Sequence, residues 1–550
     1  MAQKREHWGG MIGFILATAG AAIGLGNIWK FPYVTGMNGG GAFVLVYLVC
    51  ILFLGMPIML SEIAMGRQTG KNPVGAFRAL QPDRSKLAAF LGFGLLAFAI
   101  LIAFRGEYGF AVISALMGGA FLRWGFRVAG LVSILVGMAI FSYYAVVGGW
   151  ALAYTCLAFC NKLNYTDLAS AEAAFGAFIE SPGKMILFQM LFMALVGLVT
   201  LGGVRGGIER CNKILMPVLL FLLLAVIVRS ISLEGSMAGV AFFLKPDFSK
   251  LTAVGLLEAL GHAFFTLSLG MAITVTYGSY MKRDKNLFLA SFWVIVLDTF
   301  AAVLAGLAIF PAVFAMGFKA DAGPSLIFQV LPATFNNFPG ELGYVWAGFF
   351  FLMLTIAALT SGVALLEIGT ALLIDEFKWK RVPAVLFCFV AIALLGILSS
   401  VSIDSWNQIP QVKAMIAYCF GEHHVMGSWF ETLDHISSNW ILPLSGLVIS
   451  LFVGYVWTTR AAARELRRGA NGWADRNLLE LLSGLGGDSM YHAPNTGRGL
   501  KLISLWPDPE RDPGSRGLTL ISLWSILLRF IVPFIVLAIF LQKIGINIGL

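Results

Sequence analysis

Two short segments of this chain combine residue types that could hold a cation and a carboxylate side by side. One is Gly20-Ala21-Ala22-Ile23-Gly24-Leu25-Gly26-Asn27 and the other is Thr266-Leu267-Ser268-Leu269-Gly270. Glycine interrupts a helix at little cost and bares backbone groups. A half-helix that ends at such a break turns free carbonyls toward it, and these suit a hard cation such as Na+. A half-helix that begins there offers free N–H groups and a positive dipole end to a carboxylate. Asn27, Thr266 and Ser268 add side-chain oxygens. Such glycines can also serve only close helix packing, but polar side chains at both breaks argue against that.

Both segments sit inside long apolar runs. The 550 residues are 59% apolar and 12% charged, whereas a soluble domain carries roughly 25% charged residues. A water-facing surface cannot be built from so few charges, so most of the outside must face lipid. Runs such as Phe43–Leu60, Leu215–Val228, Phe349–Leu366 and Leu523–Leu541 fit this, since a helix needs about 20 apolar residues to cross the hydrocarbon core. The alternation of a membrane barrel strand is missing, so the spans are helices. The pattern predicts eleven, near 11–35, 41–66, 127–158, 183–201, 213–230, 251–281, 288–316, 342–374, 383–401, 438–458 and 520–542. Lys4, Arg5 and Ala17-Thr18-Ala19 imitate a signal peptide, but the apolar run continues past Ala19 into the first break.

The breaks fall in spans one and six, the openings of two five-helix halves. Glycine-broken spans in corresponding positions mark the binding site of a secondary transporter. Bare backbone survives in a membrane only where it is buried in protein or lines a cavity. The organisation read from this is a first repeat over 1–231, a second over 232–458, a cytoplasmic loop over 459–519 and a final helix in 520–550. With the N-terminus cytoplasmic, most of the 38 Lys and Arg fall on the inner side, as cytoplasmic loops require. The net charge of +9 is therefore topological and implies no nucleic acid. The stretch 87–122 is an insertion with two apolar runs, either a two-helix hairpin or a segment lying in the membrane interface without crossing it. The loop repeats Leu-Ile-Ser-Leu-Trp at 502–506 and 520–524, with no functional reading. Six scattered cysteines and the outer-loop histidines His423, His424 and His435 make no metal site. No nucleophile elbow, phosphate loop or HExxH zinc motif occurs, so no enzyme is expected.

Further motifs carry a resemblance: Lys4-Arg5-Glu6-His7-Trp8, Gly24-Leu25-Gly26-Asn27-Ile28-Trp29-Lys30-Phe31-Pro32, Asn38-Gly39-Gly40-Gly41-Ala42-Phe43, Glu62-Ile63-Ala64-Met65-Gly66-Arg67, Tyr143-Tyr144, Phe264-Phe265-Thr266-Leu267-Ser268-Leu269-Gly270 and Leu359-Thr360-Ser361. Together they resemble bacterial members of the neurotransmitter:sodium symporter family. The resemblance implies an all-α polytopic membrane protein of the LeuT-type fold, with two inverted five-helix repeats, broken helices 1 and 6, and one further C-terminal helix. It implies a protein of the cell (inner) membrane that couples Na+ to its substrate.

Carried over residue by residue, one sodium site would use the Ala22 carbonyl, Asn27, Thr266 and Asp298, completed by the substrate carboxylate. A second would use the carbonyls of Gly20, Ile23 and Ala357 with the hydroxyls of Thr360 and Ser361. The substrate carboxylate would meet the N–H groups of Leu25 and Gly26 and the Tyr144 hydroxyl. Its amine would meet backbone near Ala22, Phe265, Thr266 and Ser268. Ile140, Phe265, Ser268, Met271, Gly362 and Leu365 would line the side-chain pocket, with Ser361 beside it. Monoamine carriers of the family have Asp where this chain has Gly24, so here the carboxylate must come with the substrate. A neutral, hydrophobic or aromatic amino acid is expected.

Departures from the family carry further expectations. Asp298 replaces the commoner Asn, and Ala302 stands where chloride-dependent relatives carry Ser. Alanine cannot help bind an anion, and Asp298 can supply the charge, so transport without chloride is expected. His262 replaces Gln near Tyr47, either to titrate during the cycle or to pack. At the outer mouth Lys30, in place of Arg, would face Asp434. Loss of the guanidinium fork predicts a looser pair, under the aromatic lids Tyr144 and Phe265. At the inner mouth Arg5 would pair with Asp375, helped by Trp8 and Tyr280. The rival readings are a channel, a lipid-modifying membrane enzyme and an amino-acid sensor that binds without transport.

Overall fold

The structure is a computed structural model. It describes residues 5–470 and 519–543, apart from 83–84, 104–107, 164, 166, 319–325, 337–341, 406–410, 412, 415–416 and 418–426. The described residues are overwhelmingly helical. In chain order the first half comprises α1 (Met11–Ala22), α2 (Gly26–Met37), α3 (Gly41–Thr69), α4 (Pro73–Leu80), α5 (Lys86–Ala103), α6 (Tyr108–Trp124), α7 (Arg127–Phe159), α8 (Leu168–Ile179), α9 (Pro182–Leu201) and α10 (Val204–Ile231). The second comprises α11 (Ser236–Leu244), α12 (Ala253–Thr266), α13 (Ile273–Gly278), α14 (Leu287–Ala315), α15 (Leu326–Asn336), α16 (Gly343–Phe377), α17 (Arg381–Ile403) and α18 (Trp429–Val456). The helices α19 (Thr459–Arg467) and α20 (Leu520–Ala538) follow.

Nine helices among the described residues are long and apolar enough to cross a membrane. The pair α1 and α2, bent by 44°, counts as a tenth span, and α12, a shorter apolar helix, is followed after the second break by α13. Large apolar side chains such as Leu198, Phe221, Val228 and Phe534 point outward, where lipid accommodates them without cost. The core between the two halves is packed with aromatics and alanines.

Two spans start earlier than their hydropathy predicts. α10 begins at Val204, not near 213, because Glu209 and Arg210 hide an apolar helix that buries the Glu209 carboxylate. α18 begins at Trp429, not near 438, because Asp434 turns inward to Lys30 and needs no water. His435 consequently lies in this helix rather than in an outer loop; His423 and His424 lie outside the described residues. The stretch 87–122 forms α5 and α6, packed antiparallel with Gly92 against Leu122 and Leu96 against Gly118. Glycine lets the two backbones approach closely. Residues 471–518 of the predicted loop, including the first copy of its repeat, lie outside the described residues.

Candidate functional site

The two broken spans cross the centre of the molecule side by side, flanked by α7, α14 and α16. Their breaks differ in conformation. In the first, Ile23 leaves the helix at φ −72° and ψ 86°, a region open to any residue. In the second, Ser268, Gly270 and Ala272 all have positive φ, at 56°, 75° and 71°. Left-handed backbone is costly for Ser and Ala, so it must be held from outside. Glu62 of α3 does this. One of its carboxylate oxygens accepts the Gly270 N–H at 2.8 Å, and the other takes the Thr274 hydroxyl. Glu62 and Thr274 are both fully buried. Sequence reasoning saw Glu62 only inside a motif. An acid within an apolar span was the signal that pointed to it.

Around the first break the oxygens gather in two clusters. Asn27 Nδ2 donates to the Asp298 carbonyl at 3.0 Å and to Asp298 Oδ1 at 2.9 Å, while its own Oδ1 accepts the Gly24 N–H at 3.3 Å. The Thr266 hydroxyl donates to Asp298 Oδ1 at 3.1 Å. Ala22 lies beside this group, on the cavity wall. In the second cluster Ser361 Oγ donates to the Gly20 carbonyl at 3.3 Å and Thr360 Oγ1 to the Ala357 carbonyl at 3.0 Å, next to the buried Ile23. Every potential ligand in both clusters is an oxygen, the donor type an alkali cation prefers. The residues present therefore fit Na+ as a transported substrate.

Between the breaks lies a narrow cavity of about 20 Å³. Ala22, Gly26, Ile140, Tyr144, Phe265, Ser268, Met271, Ser361 and Leu365 line it, together with Ala21 and Ile273. Ala21 adjoins Ala22 and Ile273 lies two residues past Met271; only the backbone path turned them inward. Its polar end holds the Tyr144 hydroxyl, which accepts the Leu25 N–H at 3.0 Å. A Cβ on Gly24 would sit 2.6 Å from that hydroxyl and overlap Ser361 Oγ, so there is no room for a side chain here. Gly26 lies against the Phe265 ring, 3.2 Å from a built Cβ. Ser268 Oγ donates to the Ala21 carbonyl at 3.1 Å, tying the two breaks together.

Gly362 corrects the expectation. It does not open the pocket but faces Phe141 and Val196, each 3.1 Å from a built Cβ. One residue turns a helix by about 100°, so Ser361 and Leu365 can face the cavity while Gly362 cannot.

Both mouths are shut. On one side the Lys30 ammonium meets Asp434 Oδ1 and Oδ2 at 2.6 and 2.7 Å and Ser438 Oγ at 3.1 Å. It also lies 4.6 Å from the centre of the Phe265 ring. The pair is not loose: three ammonium protons find three oxygens, which replaces the lost guanidinium fork. Tyr143 adds a hydrogen bond to Asp434 at 3.0 Å. On the N-terminal side Arg5 contacts both Asp375 oxygens at 2.6 and 2.7 Å and lies over the Tyr280 ring. Trp8 Nε1 donates to the Tyr277 carbonyl at 2.9 Å, and Tyr280 donates to Glu367. His262 stacks between Phe31 and Tyr47, with ring centres 5.6 and 5.3 Å away.

Comparison with known proteins agrees with this geometry. The model of the sodium:neurotransmitter symporter family matches residues 5–117 and 173–433. An uncharacterized sodium-dependent transporter of Bacillus subtilis, YhdH, is 34% identical over 470 residues, 85% of this chain and 92% of that protein. The sodium- and chloride-dependent glycine transporter 2 of Xenopus laevis is 27% identical over 72% of this chain and 54% of its own length. The crystal structure of MhsT in complex with L-phenylalanine superposes with a TM-score of 0.73 at 35% identity, covering 98% of this chain and all of that one. The chain thus has the LeuT-type fold and belongs to the sodium:neurotransmitter symporter family, whose members are secondary transporters and not enzymes.

Proposed function

We propose that the protein takes up a neutral, hydrophobic or aromatic L-amino acid, driven by Na+ and without chloride. The observation that carries this is the closed cavity itself. Its polar end offers the Leu25 and Gly26 N–H groups and the Tyr144 hydroxyl beside an oxygen cluster, and its other walls are Ile140, Met271 and Leu365. A carboxylate at the polar end would touch both the amides and a Na+ held by Ala22, Asn27, Thr266 and Asp298. Each ligand then raises the affinity of the other, which is coupling. Gly24 leaves no place for a protein carboxylate opposite an amine, and MhsT binds L-phenylalanine in a homologous fold.

Transport follows by alternating access. With the N-terminus cytoplasmic in the inner membrane, opening the Lys30–Asp434 mouth admits Na+ and substrate. Separation of Arg5 from Asp375 then releases them. Asp298, next to Ala302, supplies the negative charge that chloride supplies elsewhere.

The test is uptake of labelled neutral amino acids into proteoliposomes with an inward Na+ gradient, or with K+ in its place. Sodium-dependent accumulation is expected. Sodium-dependent binding without accumulation would make the protein a sensor, and no binding of any amino acid would overturn the substrate class.

A further inference from the structure

The hairpin of α5 and α6 stands apart from the site. Its root lies at the Arg5 mouth. Asn72, which caps the start of α4, donates its N–H to Asp375 at 2.8 Å. Gln81, at the other end of α4, accepts the Phe126 N–H at 2.9 Å. Phe126 directly precedes α7, so the hairpin leaves the bundle and returns to it at one place. Phe121 meets Phe126 edge-on there, with ring centres 5.8 Å apart.

Within the hairpin, small residues face each other. Ala88, Gly92 and Ala99 are buried on α5, and Ala111, Ser114 and Gly118 on α6. A Cβ on Gly92 would lie 3.0 Å from the Gly118 carbonyl, and one on Gly118 would lie 2.8 Å from the Gly92 carbonyl. Phe90, Phe93 and Ile100 on α5 and Val112 and Leu116 on α6 are between 53% and 71% exposed. Because the inner faces oppose each other, these outer faces point away from each other, and one flat neighbour cannot cover both.

The distribution of charge says what does cover them. Between Leu87 and Leu122 no described residue is charged; Arg105 and Glu107 lie outside the described residues. Lys86 opens α5 and Arg123 stands at the end of α6, its guanidinium 5.6 Å from the centre of the half-exposed Trp124 ring. Basic residues and tryptophan mark the boundary between membrane and water. A helix lying in that boundary keeps a strongly polar face toward the headgroups, and neither α5 nor α6 has one. Their 18 and 17 residues reach about 27 and about 25 Å, within the range of a crossing helix.

We infer that α5 and α6 are inserted into the hydrocarbon core of the bilayer as an additional pair of crossings, with lipid acyl chains as the partner of both outer faces.

The test places single cysteines at Phe90, Phe93, Ile100, Val112, Leu116 and Leu122 in the full chain with its native cysteines replaced. Each is spin-labelled in liposomes, and its accessibility to oxygen is compared with that to a water-soluble nickel chelate. The oxygen-to-nickel ratio is expected to peak in mid-helix, at Phe93 and Leu116, and to fall about twofold or more toward Leu122 and toward Ile100 as each end nears water. Three positions on each helix keep the profile readable if one variant does not fold. A ratio that rises steadily to Ile100 and Val112 would mean a hairpin that dips in without crossing. A ratio that alternates around each helix would mean an interfacial segment. Labels that neither reagent reaches, with coupling between spins, would mean a second copy of the chain on these faces. Any of the three would overturn the inference.

Discussion

The two broken helices look alike in sequence and are held open in different ways. The first break uses ordinary backbone, and its exposed oxygens are linked to each other through Asn27, Asp298, Ser361 and Gly20. They bond to one another and to nearby backbone, so they can turn to an ion. The second break runs through three left-handed residues, and the protein's own carboxylate, Glu62, ties its amide and hydroxyl. One opening is therefore exchangeable and the other permanent. In the permanent break the backbone is pre-shaped, so binding need not supply the free energy of distorting it.

Asp298→Ala tests the exchangeable break and should have the largest effect. Sodium-dependent binding of amino acid should vanish, while the melting temperature measured in K+ should fall only modestly, because Asn27 keeps the Asp298 carbonyl and only the Thr266 hydroxyl loses its acceptor. Binding that keeps its sodium dependence would remove Asp298 from the first sodium site. Glu62→Ala tests the permanent break. It leaves two buried donors unpaired, at about 1–3 kcal/mol each, and frees the strained Ser268 and Ala272. The melting temperature should fall in Na+ and in K+ alike, and Glu62→Gln, which still accepts, should restore part of it. A Glu62→Ala protein as stable as wild type would erase the contrast between the breaks.

Tyr144→Phe sharpens the reading of the polar end. A hydrogen bond to a charged group contributes about 1.5–3 kcal/mol, so amino-acid affinity should drop roughly 10- to 100-fold, while the melting temperature in K+ falls only modestly as the buried Leu25 N–H loses its acceptor. Equilibrium binding with and without the hydroxyl measures this directly. Replacing chloride by gluconate should have the smallest effect, less than about twofold on uptake. A clear loss would show that Asp298 does not supply the charge the site needs.

Much of the fold was legible because it depends on local properties. Apolar runs of spanning length marked the nine long helices and the bent pair of α1 and α2, and both breaks fell where Gly24, Gly26 and Gly270 announced them. The early starts of α10 and α18 were not legible. Hydropathy counts Glu209 and Asp434 as exposed charges, whereas a partner far along the chain buries each of them. The Lys30–Asp434 pair had to be carried over from a family resemblance, since 404 residues separate its members.

From the sequence alone it follows that this protein crosses a membrane many times, that two spans must break, and that oxygen chemistry gathers at the breaks. Hydropathy, glycine content and side-chain type are properties of each residue and survive without a fold. The tertiary structure alone decided that Glu62 caps the second break, that Gly362 turns away from the cavity while Ser361 faces it, and that α5 and α6 bury their small residues against each other. Those outcomes depend on the rotation and depth of one packed helix against another, and these are set by the whole bundle together.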